Sequence, residues 1–330
     1  MKRTFIFATL LIATLIVGSA GFFSNRPLTI RYPHGAGPAA FSLDGAYFIG
    51  GSTPNCGFFV SPVNSPDLTR VDLCPDSGIR WLTSVSWNPN GQSLLVVPSS
   101  STEIWEVDFA THAILRRLSG HLGWVESALY SLDGTTIASS AADGVIKIWD
   151  AASGQELYTF TTQGRISSTS YDATGGHLVT VSGENTVIVW DLRAGVELWR
   201  VTRDDWELYM ARFSPDNRYL LTTGGTDKTV RVWDADTQQQ VAEYSAAGWV
   251  FDAVFAVDSE SVLLWDWTNG NLIAWHFATG ATQIELTYRD YASNLLAWSY
   301  AASLVAIQGG GGGGDNQLVT FFTAPALNGS

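Results

Sequence analysis

The sequence predicts an all-β chain built from tandem modules of short antiparallel strands. Three observations carry this expectation. Short apolar stretches are separated by the turn dipeptides Asp44-Gly45, Asn90-Gly91, Asp133-Gly134, Asp143-Gly144 and Gly175-Gly176, the punctuation of β-hairpins. Tryptophans recur at Trp105, Trp149, Trp190, Trp233 and Trp275, with spacings of 44, 41, 43 and 42 residues. A second marker precedes each module's first strand: Trp81, Trp124, Arg165, Trp206, Trp249 and Tyr291.

Residues 120–150 hold the module in its fullest form. Gly120-His121 opens it and Trp149-Asp150 closes it, with apolar runs at 125–130, 136–142 and 145–149 between. This resembles the WD-repeat unit of a β-propeller, whose period is about 40–45 residues. The resemblance implies a seven-bladed β-propeller of four-stranded antiparallel blades, with six or eight blades as the alternatives. The seven blades are expected at about 36–79, 80–123, 124–164, 165–205, 206–248, 249–290 and 291–330.

Residues 1–23 are expected to lie outside the fold. Lys2 and Arg3 precede an apolar run at 5–17, then Gly18-Ser19-Ala20, the layout of an export signal cleaved after Ala20. The competing reading is a retained membrane anchor, because 5–23 approaches the roughly 20 residues that span a bilayer. Both readings export the body, making it extracellular, periplasmic or anchored to the outer face of the cytoplasmic membrane. Residues 28–32 (LTIRY) alternate apolar and polar without a partner of their own. They are expected to supply the outer strand that 324–330 cannot, closing the ring without a raw strand edge.

Cys56 and Cys74 flank an apparent hairpin whose folding about Ser65 sets them opposite each other, so a disulfide is expected, against two buried free thiols. It would brace a first blade that has no Trp-Asp.

In the resembling family a blade is held by four hydrogen-bonded groups. Mapped by position these are His121, Ser139, Asp143 and Trp149; a buried indole N–H needs an acceptor, and each further polar group needs its own partner. The fourth blade offers Thr180, Glu184 and Trp190, and the fifth Asp227, Trp233 and either Thr222 or Thr223, both without the histidine. A hydrolase built on His121, Ser139 and Asp143 is disfavoured, since no Gly-x-Ser-x-Gly occurs.

The remaining chemistry is sparse. The net charge of −13 repels phosphate backbones, so nucleic acid is not expected as a partner. Scattered histidines and only two cysteines give no metal site, and no catalytic residue or cofactor is expected. Asp204-Asp205 with Glu207 reads as a solvated loop, and Gly309–Gly314 as a permissive one, since no Lys-Ser/Thr and helix follow it. The markers Trp81, Trp124, Arg165, Trp206, Trp249 and Tyr291 would circle one mouth of a propeller channel. They would act as packed plugs or as a contact ring of the kind that forms binding hot spots. The expected function is a monomeric, non-enzymatic scaffold for a protein or peptide. A small-ligand or glycan binder is the alternative, and a propeller enzyme the third reading.

Overall fold

Alternating side chains and tight turns give antiparallel strands throughout. The computed structural model describes residues 28–32, 38–53, 56–73, 81–183, 185–202, 208–225, 227–287, 294–299, 304–309 and 317–323. Among them every regular element is a strand, and the strands form seven four-stranded antiparallel sheets. The fold is an all-β propeller of four-stranded blades. Six sheets take their strands consecutively. In the last, Leu28–Tyr32 lies outside Gln317–Thr323, with Leu28 opposite Phe321 and Tyr32 opposite Gln317. The inner strand of the first sheet, Ala40–Phe41, touches that of the last, Asn294–Ser299, so the two ends of the series meet.

Six equivalent turns join first to second strands. The N–H groups of Gly45, Gly91, Gly134, Gly175, Asn217 and Ser259 donate to the carbonyl three residues earlier. Each of these residues has a positive φ, as in Gly134 at 72° and Asn217 at 64°, which favours glycine or asparagine there. Neighbouring turns interlock: the Asn217 side chain donates to Asp172 and accepts from the Ala173 N–H.

The turns from third to fourth strand repeat a different device. Asp108, Asp150 and Asp234 each accept from both the N–H and the hydroxyl of the residue three further on, at 2.6–2.8 Å. Asp191 accepts from the Arg193 and Ala194 N–H groups. Thr111 and Ser153 hydroxyls, and the Ala194 and Thr237 N–H groups, hold these four carboxyls below their ordinary value of 3.8. A depressed folded-state pKa gives stability that is present above the unfolded value and lost as pH falls through the folded one. These four carboxylates should therefore add a fall in the urea midpoint below about pH 4. A midpoint unchanged at pH 2.5 would remove these caps from the stability account.

Packing between blades is mostly apolar. Ile146, Ile148, Leu178 and Trp190 make one seam, and Val230, Phe255, Leu264 and Trp275 another. The seam between the second and third blades also carries charge. Glu106 is buried and accepts from the Ser93 hydroxyl at 2.8 Å, the Tyr130 hydroxyl at 2.8 Å and Arg116 Nε at 2.6 Å. Arg116 reaches on to the Ala151 and Ala152 carbonyls of the next blade. Glu106→Ala would strand a cation and two hydroxyls in the seam. The expected loss is roughly 3 kcal/mol, read from the urea midpoint, with a change below a quarter of that as the contrary result.

Candidate functional site

Equivalent backbone bonds fix the residues on one face. The carbonyls of Trp81, Trp124 and Trp249 accept from the N–H groups of Ser99, Ala142 and Trp267, each just past its blade's second strand. The Arg165 carbonyl makes the same bond with Gly183. These four residues thus hold one structural position on the face opposite the glycine-bearing turns. The tryptophans are open: Trp81 is 53% exposed, Trp124 60% and Trp249 39%. Leu122, beside Trp124, is 95% exposed. None of the three tryptophans is a buried plug. Arg165 is tied to Glu126 at 2.7 Å, so it adds an ion pair rather than a lone cation.

Glycine before a marker has a geometric cause. A Cβ on Gly123 would fall 2.6 Å from Asp143 Cγ, and one on Gly248 2.1 Å from Asp266 Oδ1. The carboxylate pressed against the glycine holds the chain where the next side chain projects.

Two of the six markers, Trp206 and Tyr291, lie outside the described residues. Trp124 stands four residues before Ala128, which pairs with Ser139. The same interval before Ala211, which pairs with Thr222, falls on Glu207 rather than Trp206.

The sequence missed an aromatic cluster beside Trp249. Trp267 stacks on it at 5.4 Å with an interplanar angle of 13°, and Phe251 lies 6.0 Å away. Tyr209, 38% exposed, meets Phe251 edge-on at 4.7 Å. Asp252 follows Phe251 and lies 3.1 Å from Arg212. The signal was the run of aromatics in 249–251 and 265–267, whose two ends meet only across a strand pair.

Three of the four predicted bracing groups are bonded together. Trp149 Nε1 donates to Ser139 Oγ at 2.8 Å, which frees the hydroxyl proton for His121 Nε2 at 2.7 Å. Asp143 departs from the expectation. Its Oδ1 accepts from the Val145 N–H at 3.1 Å, and His121 Nδ1 is buried without a hydrogen-bond partner. Burial, and then the Lys147 charge, push the His121 imidazole down to about 4, so it is neutral at pH 7. Ser139 is fully buried and its oxygen is taken up by the indole, so this Ser–His pair is closed to substrate.

The indole–hydroxyl bond recurs. Trp190 donates to Thr180 and Trp233 to Thr222, each at 3.0 Å, which selects Thr222 over Thr223. Glu184 lies outside the described residues. The second blade corrects the alignment: Val107 stands opposite Leu94 where Trp149 stands opposite Ile137. Trp105 is two residues early, and Asp108 is the counterpart of Asp150. Trp105 instead lies under Arg117 at 4.7 Å.

Cys56 is buried and disulfide-bonded, while Cys74 lies outside the described residues. Cys56 sits in a turn with φ 45° ahead of the strand Gly57–Pro62. The register there pairs Phe58 with Val71 and Val60 with Thr69, which continues to Leu73, not Cys74, opposite Cys56. The connecting turn is asymmetric about Ser65.

Comparison with known proteins agrees with this geometry. The family model described as WD domain, G-beta repeat matches residues 113–150, 154–191 and 205–234. The chain is similar to the serine-threonine kinase receptor-associated protein of Gallus gallus, 30% identical over 167 residues, 50% of this chain and 46% of that protein. It is also similar to the small ribosomal subunit protein RACK1y of Oryza sativa subsp. japonica, 34% identical over 82 residues, 24% of each chain. The matches span less than half the length of these relatives. A chain in the crystal structure of the mitotic checkpoint complex superposes with a TM-score of 0.76 over 92% of this chain and 93% of that one, at 17% identity. The matched repeats, the indole–hydroxyl brace and the aspartate-capped turns together support a WD-repeat β-propeller family for this chain.

Proposed function

We propose that the protein is an exported, non-enzymatic platform, with its seven sheets acting as one seven-bladed ring. It binds a protein or peptide on the face bearing Trp81, Trp124 and Trp249. One observation carries the reading: three large aromatics at one repeated backbone position stay substantially open to solvent. Exposed tryptophans grouped on a rigid frame suit a hot spot, because they bury much area at little entropic cost. The relatives' names speak of receptor association, a ribosomal subunit and a checkpoint complex. Such company favours an assembly partner over a catalyst, although fold likeness alone does not carry function.

Export rests on the composition of residues 1–23 and on a disulfide-bonded Cys56, which fits an oxidising compartment. We take Cys74 as its partner, since the chain has two cysteines. The stacked Trp249–Trp267 pair supports a second reading, a sugar ring lying on the indole face. The deciding experiment is affinity capture with the wild type and with Trp124→Ala/Trp249→Ala, run beside a glycan array. Capture that survives the double substitution overturns the peptide reading. Array binding lost in the same variant would put the glycan in its place.

A further inference from the structure

The face opposite the tryptophans carries its own repeated feature. In the six glycine-type turns the second residue is Leu43, Pro89, Leu132, Ala173, Pro215 or Val257. Proline suits that place because its φ is preset, but nothing in the turn calls for leucine or valine. Leu43, Leu132 and Val257 are each about half exposed, at 55%, 52% and 51%. Among the described residues these three apolar tips stand on the turn face with about half of each side chain open to solvent.

The path of the first strand leads to the same face. In the last sheet Ser299 pairs with Leu304 and Leu304 with Thr323, so this end of the sheet is the glycine-type turn end. Leu28 pairs with Phe321 and Tyr32 with Gln317. The strand therefore starts on the turn face and runs toward the tryptophan face. Residues 24–27 are all that separate its start from the apolar run at 5–23. Four residues reach at most about 14 Å.

We propose that residues 5–23 are retained as a membrane anchor and that the propeller rests turn-face down on the bilayer. Leu43, Leu132 and Val257 then meet the headgroup boundary, and Trp81, Trp124 and Trp249 point away from it. The proposal rests on the export reading above. The tether supplies the high local concentration that three modest apolar contacts need. Asp44, Asp133, Asp216 and Asp258, one residue past the tips, are engaged in their own turns by Ser42, Thr135, Arg218 and Ser261 among others. These carboxylates disfavour anionic lipid, so the contact is apolar and suits zwitterionic headgroups.

The test uses the full chain in phosphatidylcholine vesicles that carry a nitroxide-labelled lipid. A fluorophore is attached at Leu132→Cys, at Val257→Cys or, on the tryptophan face, at Leu122→Cys. Quenching at 132 and 257 should exceed that at 122 by roughly twofold or more. Equal quenching at all three positions, or none while the chain floats with the vesicles, overturns the orientation and leaves export standing. A chain recovered from cells without residues 5–23, or one that stays with the aqueous fraction, overturns the anchor itself. Capture by the tryptophan face is measured separately, so its failure is distinguishable from either result.

Discussion

Trp149→Ala should lower unfolding stability by roughly 3–5 kcal/mol, the largest single loss expected in this chain. Trp149 is 2% exposed and packs with Leu118, Val125 and Ile137 between the second and third blades. Gly120 leaves room for it: a Cβ there would stand 3.2 Å from the indole Cη2. Truncation opens a cavity that blades fixed at both ends cannot collapse, and it removes the donor that orients Ser139. Trp149→Phe keeps most of the volume but loses the hydrogen bond, so about 1–2 kcal/mol should go. Ser139→Ala should cost a similar amount by orphaning both Trp149 Nε1 and His121 Nε2. Urea unfolding by tryptophan fluorescence and circular dichroism gives all three. A Trp149→Ala loss below about 1 kcal/mol would mean that the brace does not hold the blades together.

Trp124→Ala combined with Trp249→Ala should abolish partner capture with little change in the thermal melt. Central hot-spot aromatics are worth about 2 kcal/mol or more each, so one truncation weakens binding roughly 30-fold and two push it beyond most capture assays. The expected stability change is small because both side chains face solvent. Trp249 loses its stack with Trp267 and its edge contact with Phe251. Leu132→Ala on the opposite face is the control and should leave capture intact. Equal loss from Leu132→Ala would point to general surface damage, and retained capture in the double variant would move the binding surface elsewhere.

The repeat was legible because its signals are local. Asp133-Gly134 sets a turn from four neighbouring residues, and the same dipeptide logic recurs at Asp44-Gly45 and Asn90-Gly91. The pairing of 28–32 with the last sheet was legible from an orphan alternating strand and a missing fourth one. Register was harder. Trp105 drew the alignment two residues astray because the bulky residue was matched, whereas the aspartate that caps the turn, Asp108, keeps the true position. Glu106, the residue after Trp105, is the centre of a seam. Its partners Tyr130 and Arg116 come from other strands, and no local pattern brings them together. Asp143 was assigned by family position, but its carboxylate accepts from the Val145 N–H and lies close against Gly123 instead. The cluster of Tyr209, Phe251 and Trp267 was invisible for the same reason as Glu106: it forms only when two blades meet.

The earliest of the described strands finishes the last of the described sheets. Residues 28–32 must therefore wait, unpaired, through the synthesis of nearly three hundred residues before Gln317–Thr323 emerges to receive them. Until then the growing blades can stack only as an open arc whose two flanks are bare. Pairing across so long a span carries a large loop-closure cost, so joining the ends is expected to be the slow step.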